Sequence, residues 1–552
     1  MFGVGIHSPE DRRFVGLASG VVDDILVRDP VHATRVGDHR FDSRLPDPSP
    51  DTSDEFARIL RRHSDFLESV DDVALSRMTA ADLYVLRSEV SARLHELTVI
   101  RPHEWNPLAW NPADALHSLL ERPFAPPADR ARSLVGRLEL VGEFLDNARH
   151  CLRGMPRPHI EVAIAQMAAI EPMLDRALGD LGDASGLAEA AESAVASIDR
   201  HVVWLADHRA KAAPGFSMGA TAYEGVLRYR LGTTESIEEV LATAEDDLDR
   251  VGEELGRTAS KLLGKSMGRR RLVEDAMDKL AGPPAVDDES VLEVCGEALQ
   301  RASEFVAARR LVSVPPMDLR LVAMPEVHRG VRVAYCDAPG PLERAELPTV
   351  LAVAPTAADW TAEQRQSFYR EYNRDMIFEL MVHEAMPGHA LQLAWARSAE
   401  SPTAARSAFP SQLLIEGWAT YAEEMMARNG FVVSTQRRPS LRFQQLKMQL
   451  RMIINTILEI SIHTQGMTEA QGRRLMATRG YQEESEIIGK WRRASVTYGE
   501  LPARYIGYRG VAAVVKQLAE RHRGWNLRQV HDRLLAQGSI APEHLPSILG
   551  LG

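Results

Sequence analysis

Apolar residues recur at helical spacing over most of this 552-residue chain. After the loop Leu45-Pro46-Asp47-Pro48-Ser49-Pro50, Phe56, Ile59, Leu60, Phe66 and Leu67 share one face of a helix capped by Ser53. Thr79 heads the next helix, with Leu83, Leu86, Val90, Leu94 and Leu97 as its stripe and Pro102 as its stop. The same period predicts helices over 129–151, 159–178 and 186–210. A long acidic helix over 234–263 breaks at Gly264, another ends before Gly282-Pro283-Pro284, and one more covers 289–310. There the period changes. Stretches 318–323, 331–336 and 349–354 read as strands separated by Pro and Gly, and from Ala362 onward the pattern is helical again. The expected fold is mainly α: a large two-lobed helical fold with a small β-sheet over 318–354. A soft boundary near 205 separates an N-terminal helical lobe (1–205) from a second lobe (206–552), and no repeat of fixed period is visible.

Composition adds a few constraints. A 45% hydrophobic content is ample for a large core, and net charge −12 with a pI near 5.9 argues against nucleic acid or anionic membranes as partners. Cys151, Cys295 and Cys336 are scattered, with no C-x-x-C pair, which suits a reducing compartment and excludes a thiolate metal site. Met1 to Glu10 lacks a basic region followed by an apolar run, and no stretch has the length to span a bilayer. A cytoplasmic protein, monomer or homodimer, is the expectation.

The chemistry concentrates in the stretch from Met381 to His389, which reads Met-Val-His-Glu-Ala-Met-Pro-Gly-His, and in Glu416-Gly417-Trp418-Ala419-Thr420-Tyr421-Ala422-Glu423. A hydrolytic zinc site needs three ligands, an open position for water and a base. His383, His389 and Glu416 can supply the ligands, leaving Glu384 as the base. In H-E-x-x-H both histidines share a helical face, because four residues advance about 400°. Here Pro387 stands where the second His would be, and His389 comes six residues after His383, about 600° round an ideal helix. The constellation therefore requires Met386-Pro387-Gly388 to bulge and return His389 to the metal side.

His-Glu-Ala-Met-Pro-Gly-His at 383–389, followed by Glu416-Gly417-Trp418-Ala419, Tyr421 and Glu423, resembles the DUF885 family of bacterial proteins, considered related to zinc metallopeptidases of the gluzincin type. The stretch from Ala33 to Asp42, Asn106-Pro107-Leu108, the segment from Gly219 to Tyr229 and the Tyr505 region are also similar to that family, so the resemblance covers most of the chain. It implies a zincin-like active-site helix within the metal-site helices 371–430, with the small sheet beside it and an edge strand that pairs with extended substrate. Ala390 departs from the family, in which a second His often follows Gly-His.

Each candidate has a plainer reading beside the functional one. Glu416, embedded in an apolar run, is either a ligand or a solvent-facing carboxylate; Glu423 could orient a ligand histidine or lie at the surface. His463 continues an inward stripe of Leu446, Leu450, Ile453, Ile457 and Ile460, so it is a core histidine or an oxyanion donor. Tyr498, Tyr505 and Tyr508 cluster with Arg504 and Arg509. The resemblance assigns Tyr505, three residues after Pro502, to polarising a carbonyl. Tyr498, Arg504 and Arg509 are candidate substrate contacts, the arginines through a substrate carboxylate, or else members of surface ion pairs. Leu501 stands where relatives often have Gln.

Other patterns carry nothing. The stretch from Ala259 to Ser266 matches a permissive phosphate-loop pattern but follows a helix, Gly3-Val4-Gly5 lacks the rest of a dinucleotide fingerprint, and His103-Glu104 has no partner histidine. The expected function is a zinc-dependent hydrolase of peptide or amide bonds in short peptides or small amides, holding one Zn²⁺, with Mn²⁺ or Co²⁺ as alternatives. Glu384 would be the general base, with His463 and Tyr505 as oxyanion donors. A peptidase fold that only binds its ligand, or an amidase tailoring one small metabolite, are the alternatives.

Overall fold

A computed structural model describes residues 8–551, except 121, 182–185, 214, 283–285, 325–332, 357–359, 433–438 and the side chain of Ser485. The first seven residues with Gly3-Val4-Gly5, the pair Pro283-Pro284, and Val331 and Arg332 of the middle strand lie outside this set. The chain forms two compact units: one of residues 1–230, 339–347 and 401–409, the other of 231–338, 348–400 and 410–552.

The first unit is helical. Pro127–Cys151 packs along Leu187–His208, and Leu134, Leu138, Val141, Leu145, Ala194 and Ile198 fill the core between them. Local capping chemistry shifts several predicted boundaries. Pro50, not Ser53, opens the helix Pro50–Glu68, because its fixed φ and missing N–H suit the first turn. Ser76, not Thr79, caps Arg77–His95 by accepting from the Thr79 N–H. That helix stops before Pro102: Leu97 lies in the π turn Glu96–Ile100, and Pro102 opens the next short helix. The stretch read as one helix over 159–178 is two, Arg157–Ala168 and Ile170–Leu181, with Pro172 in the first turn of the second.

The unit boundary also moves, from 205 to 230. Ala220–Gly225 and the turn Val226–Arg230 pack on Arg77–His95, so closely that a Cβ at Gly225 would lie 2.0 Å from Nε2 of His95. Two later segments complete this unit. His39 is held between Asp42 and Glu343, at 2.9 Å on each ring nitrogen. Buried Asp82 accepts from Arg406 at 2.6 Å and from Ser401 and Thr403.

The second unit holds the sheet and the motif helices. Strands β1 (Leu319–Ala323), β2 (Ala334–Asp337) and β3 (Thr349–Val353) lie in the order β1-β3-β2, with β1 parallel and β2 antiparallel to β3. The central β3 is the buried strand, and β2 is an edge. Ile237–Leu263 runs along Ser440–Gln465, and Gln412–Arg428 along Leu501–Arg521. The motif helix Arg374–Glu384 packs on Gln412–Arg428, Ser440–Gln465 and Val291–Arg309. No helix among the described residues is long and apolar enough to cross a membrane.

Gln412–Arg428 and Leu501–Arg521 cross at glycine on both sides. A Cβ on Gly417 would lie 2.4 Å from the Gly507 carbonyl carbon, and one on Gly507 2.1 Å from the Leu413 oxygen. In an open helix, Gly→Ala stabilises by about 1 kcal/mol, whereas a clash against backbone reverses the sign. Gly417→Ala is therefore expected to destabilise the protein, by about 1–3 kcal/mol. The urea midpoint checks this, and a midpoint that rises would rule out the tight crossing.

Candidate metal centre

The motif helix starts at Asn373, whose side chain accepts from the N–H groups of Asp375 and Met376, and ends at Glu384. Ala385 leaves the helical region and a second helix, His389–Ser398, begins at His389 itself. The two histidines thus belong to different helices joined by a tight corner, which removes the six-residue spacing problem. The Met386–Pro387 peptide at this corner is cis. Gly388 lies against the preceding helix: a Cβ there would sit 1.8 Å from the His383 carbonyl oxygen. The Pro387 carbonyl accepts from Nε1–H of Trp418, at 2.8 Å, on the fully buried side of Gln412–Arg428. Trp418 of the second motif therefore holds the corner of the first.

This corner brings the imidazole rings of His383 and His389 to a centroid separation of 4.5 Å, nearly perpendicular at 78°. Glu416 joins them, its two carboxylate oxygens 3.8 Å from His383 Nε2 and 3.9 Å from His389 Nε2. One donor atom from each residue lies within 4.8 Å of the others, the one such group of His, Cys, Asp and Glu among the described residues. The histidines are buried, whereas the Glu416 side chain is 34% exposed, so the cluster has one open side.

The donors fit a cation. Burial first, then Arg504 and the neighbouring imidazole, holds the His383 pKa well below the ordinary value, and burial likewise lowers His389. Both rings are neutral, with lone pairs available. His383 Nδ1 is 2.7 Å from Glu423 and donates to it, which leaves Nε2 as the acceptor nitrogen facing Glu416. His389 Nδ1 is buried without a hydrogen-bond partner among the described residues, and its Nε2 likewise faces Glu416. Burial opposes ionisation of Glu416, but His389 and His383 outweigh it and its pKa is lowered. Two metal–ligand bonds of about 2.0–2.1 Å span at most roughly 4.2 Å, so the 3.8 and 3.9 Å separations are reachable by one ion.

Surrounding groups fix the ligands. Glu423 comes seven residues after Glu416, about 700° along the helix, and so shares its face. Glu423 also accepts from Arg504, at 2.5 Å, while Arg504 Nε donates to Thr420 Oγ1 at 2.8 Å. The 3.1 Å approach of Arg504 to His383 Nδ1 sets two donors side by side; both serve the Glu423 oxygen. Behind them, burial and then the Glu423 carboxylate push the Glu379 pKa well above the usual carboxylate range. That shift favours the neutral form of Glu379 beside Glu423. Sequence reasoning missed Glu379, although it stands four residues before His383 on the same face, inside the apolar run Phe378-Glu379-Leu380. Glu384, at the open end of the motif helix, accepts from the Cys336 N–H of edge strand β2, at 3.1 Å.

Other predicted site residues have different partners. The buried Tyr505 hydroxyl donates to Asp247 at 2.8 Å, and Arg509 forks onto Glu235 at 2.9 and 3.0 Å while covering the Tyr505 ring. Buried His463 Nε2 donates to the Thr497 carbonyl at 2.8 Å. Tyr498 is buried at the start of a turn that Glu459 secures by accepting from the N–H groups of Gly499 and Leu501. Arg504 joins the cluster, but through Glu423. Ala390 is buried in the first turn after His389.

A family model described as a bacterial protein of unknown function (DUF885) matches residues 30–549, and the chain belongs to that family. Two solved structures share the fold over nearly its whole length. One, a "putative lipoprotein of unknown function" from Shewanella oneidensis, is 25% identical with a TM-score of 0.81, over 97% of this chain and 99% of that one. The other, a "putative lipoprotein" from Colwellia psychrerythraea, is 15% identical with a TM-score of 0.81, over 98% and 99% of the two chains. No curated protein matches it.

Two outcomes are expected. Glu423→Ala should weaken Zn²⁺ binding by about 10- to 100-fold in a chelator competition, because His383 loses its orienting acceptor; unchanged affinity would contradict that role. Lowered histidine pKa values also mean that protons compete with metal only below the ordinary 6.5. Zn²⁺ affinity should therefore fall less between pH 7 and 6 than the roughly tenfold that two exposed histidines would lose.

Proposed function

We propose that this member of the DUF885 family is a zinc-dependent hydrolase of peptide or amide bonds, acting on short peptides or small amides. The observation that carries this reading is the convergence of His383, His389 and Glu416, open on one side, with Glu384 at the adjoining helix end. His383 Nε2, His389 Nε2 and the Glu416 carboxylate would hold one Zn²⁺, with Mn²⁺ or Co²⁺ suited to the same donors. Such an ion polarises a carbonyl and lowers the pKa of water towards about 7.

The chain's own residues do the rest. Glu384 takes a proton from the attacking water and delivers it to the leaving amine; the Cys336 N–H holds its carboxylate in place. Glu423, with Glu379 behind it, keeps the Nδ1 proton of His383 fixed, so that the opposite nitrogen keeps its lone pair free for a cation. His463 and Tyr505 have no part in this reading, since Thr497 and Asp247 engage them.

Glu384→Gln should retain stoichiometric zinc and lose about 10²- to 10⁴-fold in kcat on a peptide or amide substrate. Metal analysis and turnover on a library of short peptides and acyl amides check both halves. Wild-type turnover in the variant would refute the general-base assignment. Unmodified protein that takes up no metal would favour a binding protein, and turnover confined to one small amide would favour a tailoring amidase.

A further inference from the structure

A cavity of about 290 Å³ lies in the first unit, walled by residues of 29–35, 45–46 and 109–115 and by Phe144. That is the small end of the roughly 300–1,000 Å³ range of small-molecule sites, a size for an amino acid and not for a nucleotide. None of its residues takes part in the metal centre, and Arg35 belongs to the stretch from Ala33 to Asp42 that the centre leaves unused.

The polar side chains of the wall divide into committed and uncommitted groups. The Asp29 carboxylate accepts from the His32 N–H and from Arg93, each at 3.1 Å. Asn111 accepts from the Ala113 N–H at 3.0 Å and donates to Gln166 at 2.7 Å. His32 Nε2 donates to the Ala408 carbonyl at 2.7 Å, with its ring stacked on Phe409. In the neutral ring Nδ1 then keeps a lone pair without a partner among the described residues. Arg35 and Asp114 meet through one amino group and one oxygen. The Nε and Nη1 of Arg35 and the second Asp114 oxygen stay uncommitted among the described residues.

What is left over is a donor edge with positive charge, an oxygen with negative charge and a neutral acceptor. The Arg35–Asp114 pair is 55% and 56% exposed, so water screens it and a ligand separates the two groups at little cost. A second cation stands behind the wall. Fully buried Arg137 donates to the Ala115 and Pro30 carbonyls, Ser118 and Thr34, and none of these acceptors is a carboxylate. A buried cation without a bonded anion favours negative charge nearby. Leu45, Pro46 and buried Phe144 supply an apolar surface, with the Phe144 ring centroid 5.3 Å from that of Trp110.

From this set we infer that the cavity binds a free α-amino acid with an apolar side chain. Its carboxylate pairs with the open edge of Arg35, its ammonium with Asp114 and His32 Nδ1, and its side chain packs on Leu45, Pro46 and Phe144. An anion alone leaves Asp114 unpaired and a cation alone leaves Arg35 unpaired, whereas a zwitterion satisfies both. The inference does not depend on the hydrolase reading, since the two sites share no residue.

The test is calorimetry on the full-length protein with L-leucine, 4-methylpentanoate, 3-methylbutylamine and glycine. Leucine should bind about 10- to 100-fold more tightly than either singly charged analogue, and at least about tenfold more tightly than glycine. Arg35→Gln and Asp114→Asn should each weaken leucine binding by about tenfold or more. Both side chains are exposed, and an unchanged melting temperature checks the fold of each variant. Metal-stripped and zinc-loaded protein should bind leucine equally, which separates the cavity from chelation at the histidine cluster. No leucine binding up to about 10 mM, or an analogue or glycine that binds as tightly as leucine, would overturn the inference. Leucine binding that requires zinc, or that neither substitution weakens, would overturn it too. The comparison of probes uses unmodified protein, so it stands even if a variant misfolds.

Discussion

The hydrogen bond from the Trp418 indole to the Pro387 carbonyl joins the two motifs that make the site. Ending one helix at Glu384 and starting another at His389 leaves carbonyl groups inside the protein that must be satisfied. The indole supplies one donor, and Gly388, where any side chain would overlap the His383 carbonyl, lets the second helix close onto the first. The same element carries Glu416 two residues before Trp418 and Gly417 between them. Gly417 in turn admits the helix of Arg504. One short stretch thereby sets the corner, the carboxylate that faces the two histidines and the approach of the third helix.

Electrostatics at the site are built inward from the cluster. Two neutral imidazoles and one ionised carboxylate point at a common volume, while Glu379, Glu423 and Arg504 sit behind them, where a single proton and a single guanidinium limit the repulsion between buried carboxylates. A different histidine shows a structural use of the same chemistry. His531 is bonded on both sides, its Nδ1–H to the Leu311 carbonyl and its Nε2 accepting from Tyr421, and both ring nitrogens are occupied by protein. His389 is the contrast: its Nδ1 is buried without a hydrogen-bond partner among the described residues, and its Nε2 faces Glu416.

Much of this was legible in the residues. The helical periods and the three strands before the motif follow from spacing and residue type, whereas the grouping of His383, Glu384, His389 and Glu416 follows from residue type and the family resemblance, because a six-residue interval alone sets His389 off the His383 face. Helix starts were less legible, because Ser49, Ser76 and the prolines compete as caps over a few residues and tertiary packing decides among them. Tyr505 and Arg509 look catalytic in sequence because they cluster with Arg504. Asp247 and Glu235, more than 250 residues earlier, engage them instead, and no local pattern reports a partner that distant. Glu379 was hidden for the opposite reason: a lone acid in an apolar run reads as noise until Glu423 is known to lie beside it.

The polypeptide leaves and re-enters its first unit, with 339–347 and 401–409 returning to residues laid down before 231. Arg406 and Thr403 complete the coordination of Asp82, and Glu343 completes that of His39. A gene truncated after codon 230 therefore encodes an incomplete object: its product would carry a buried aspartate stripped of its counter-ion. Ribosomal order and structural order differ here, and the first unit is finished only once residue 409 has been made.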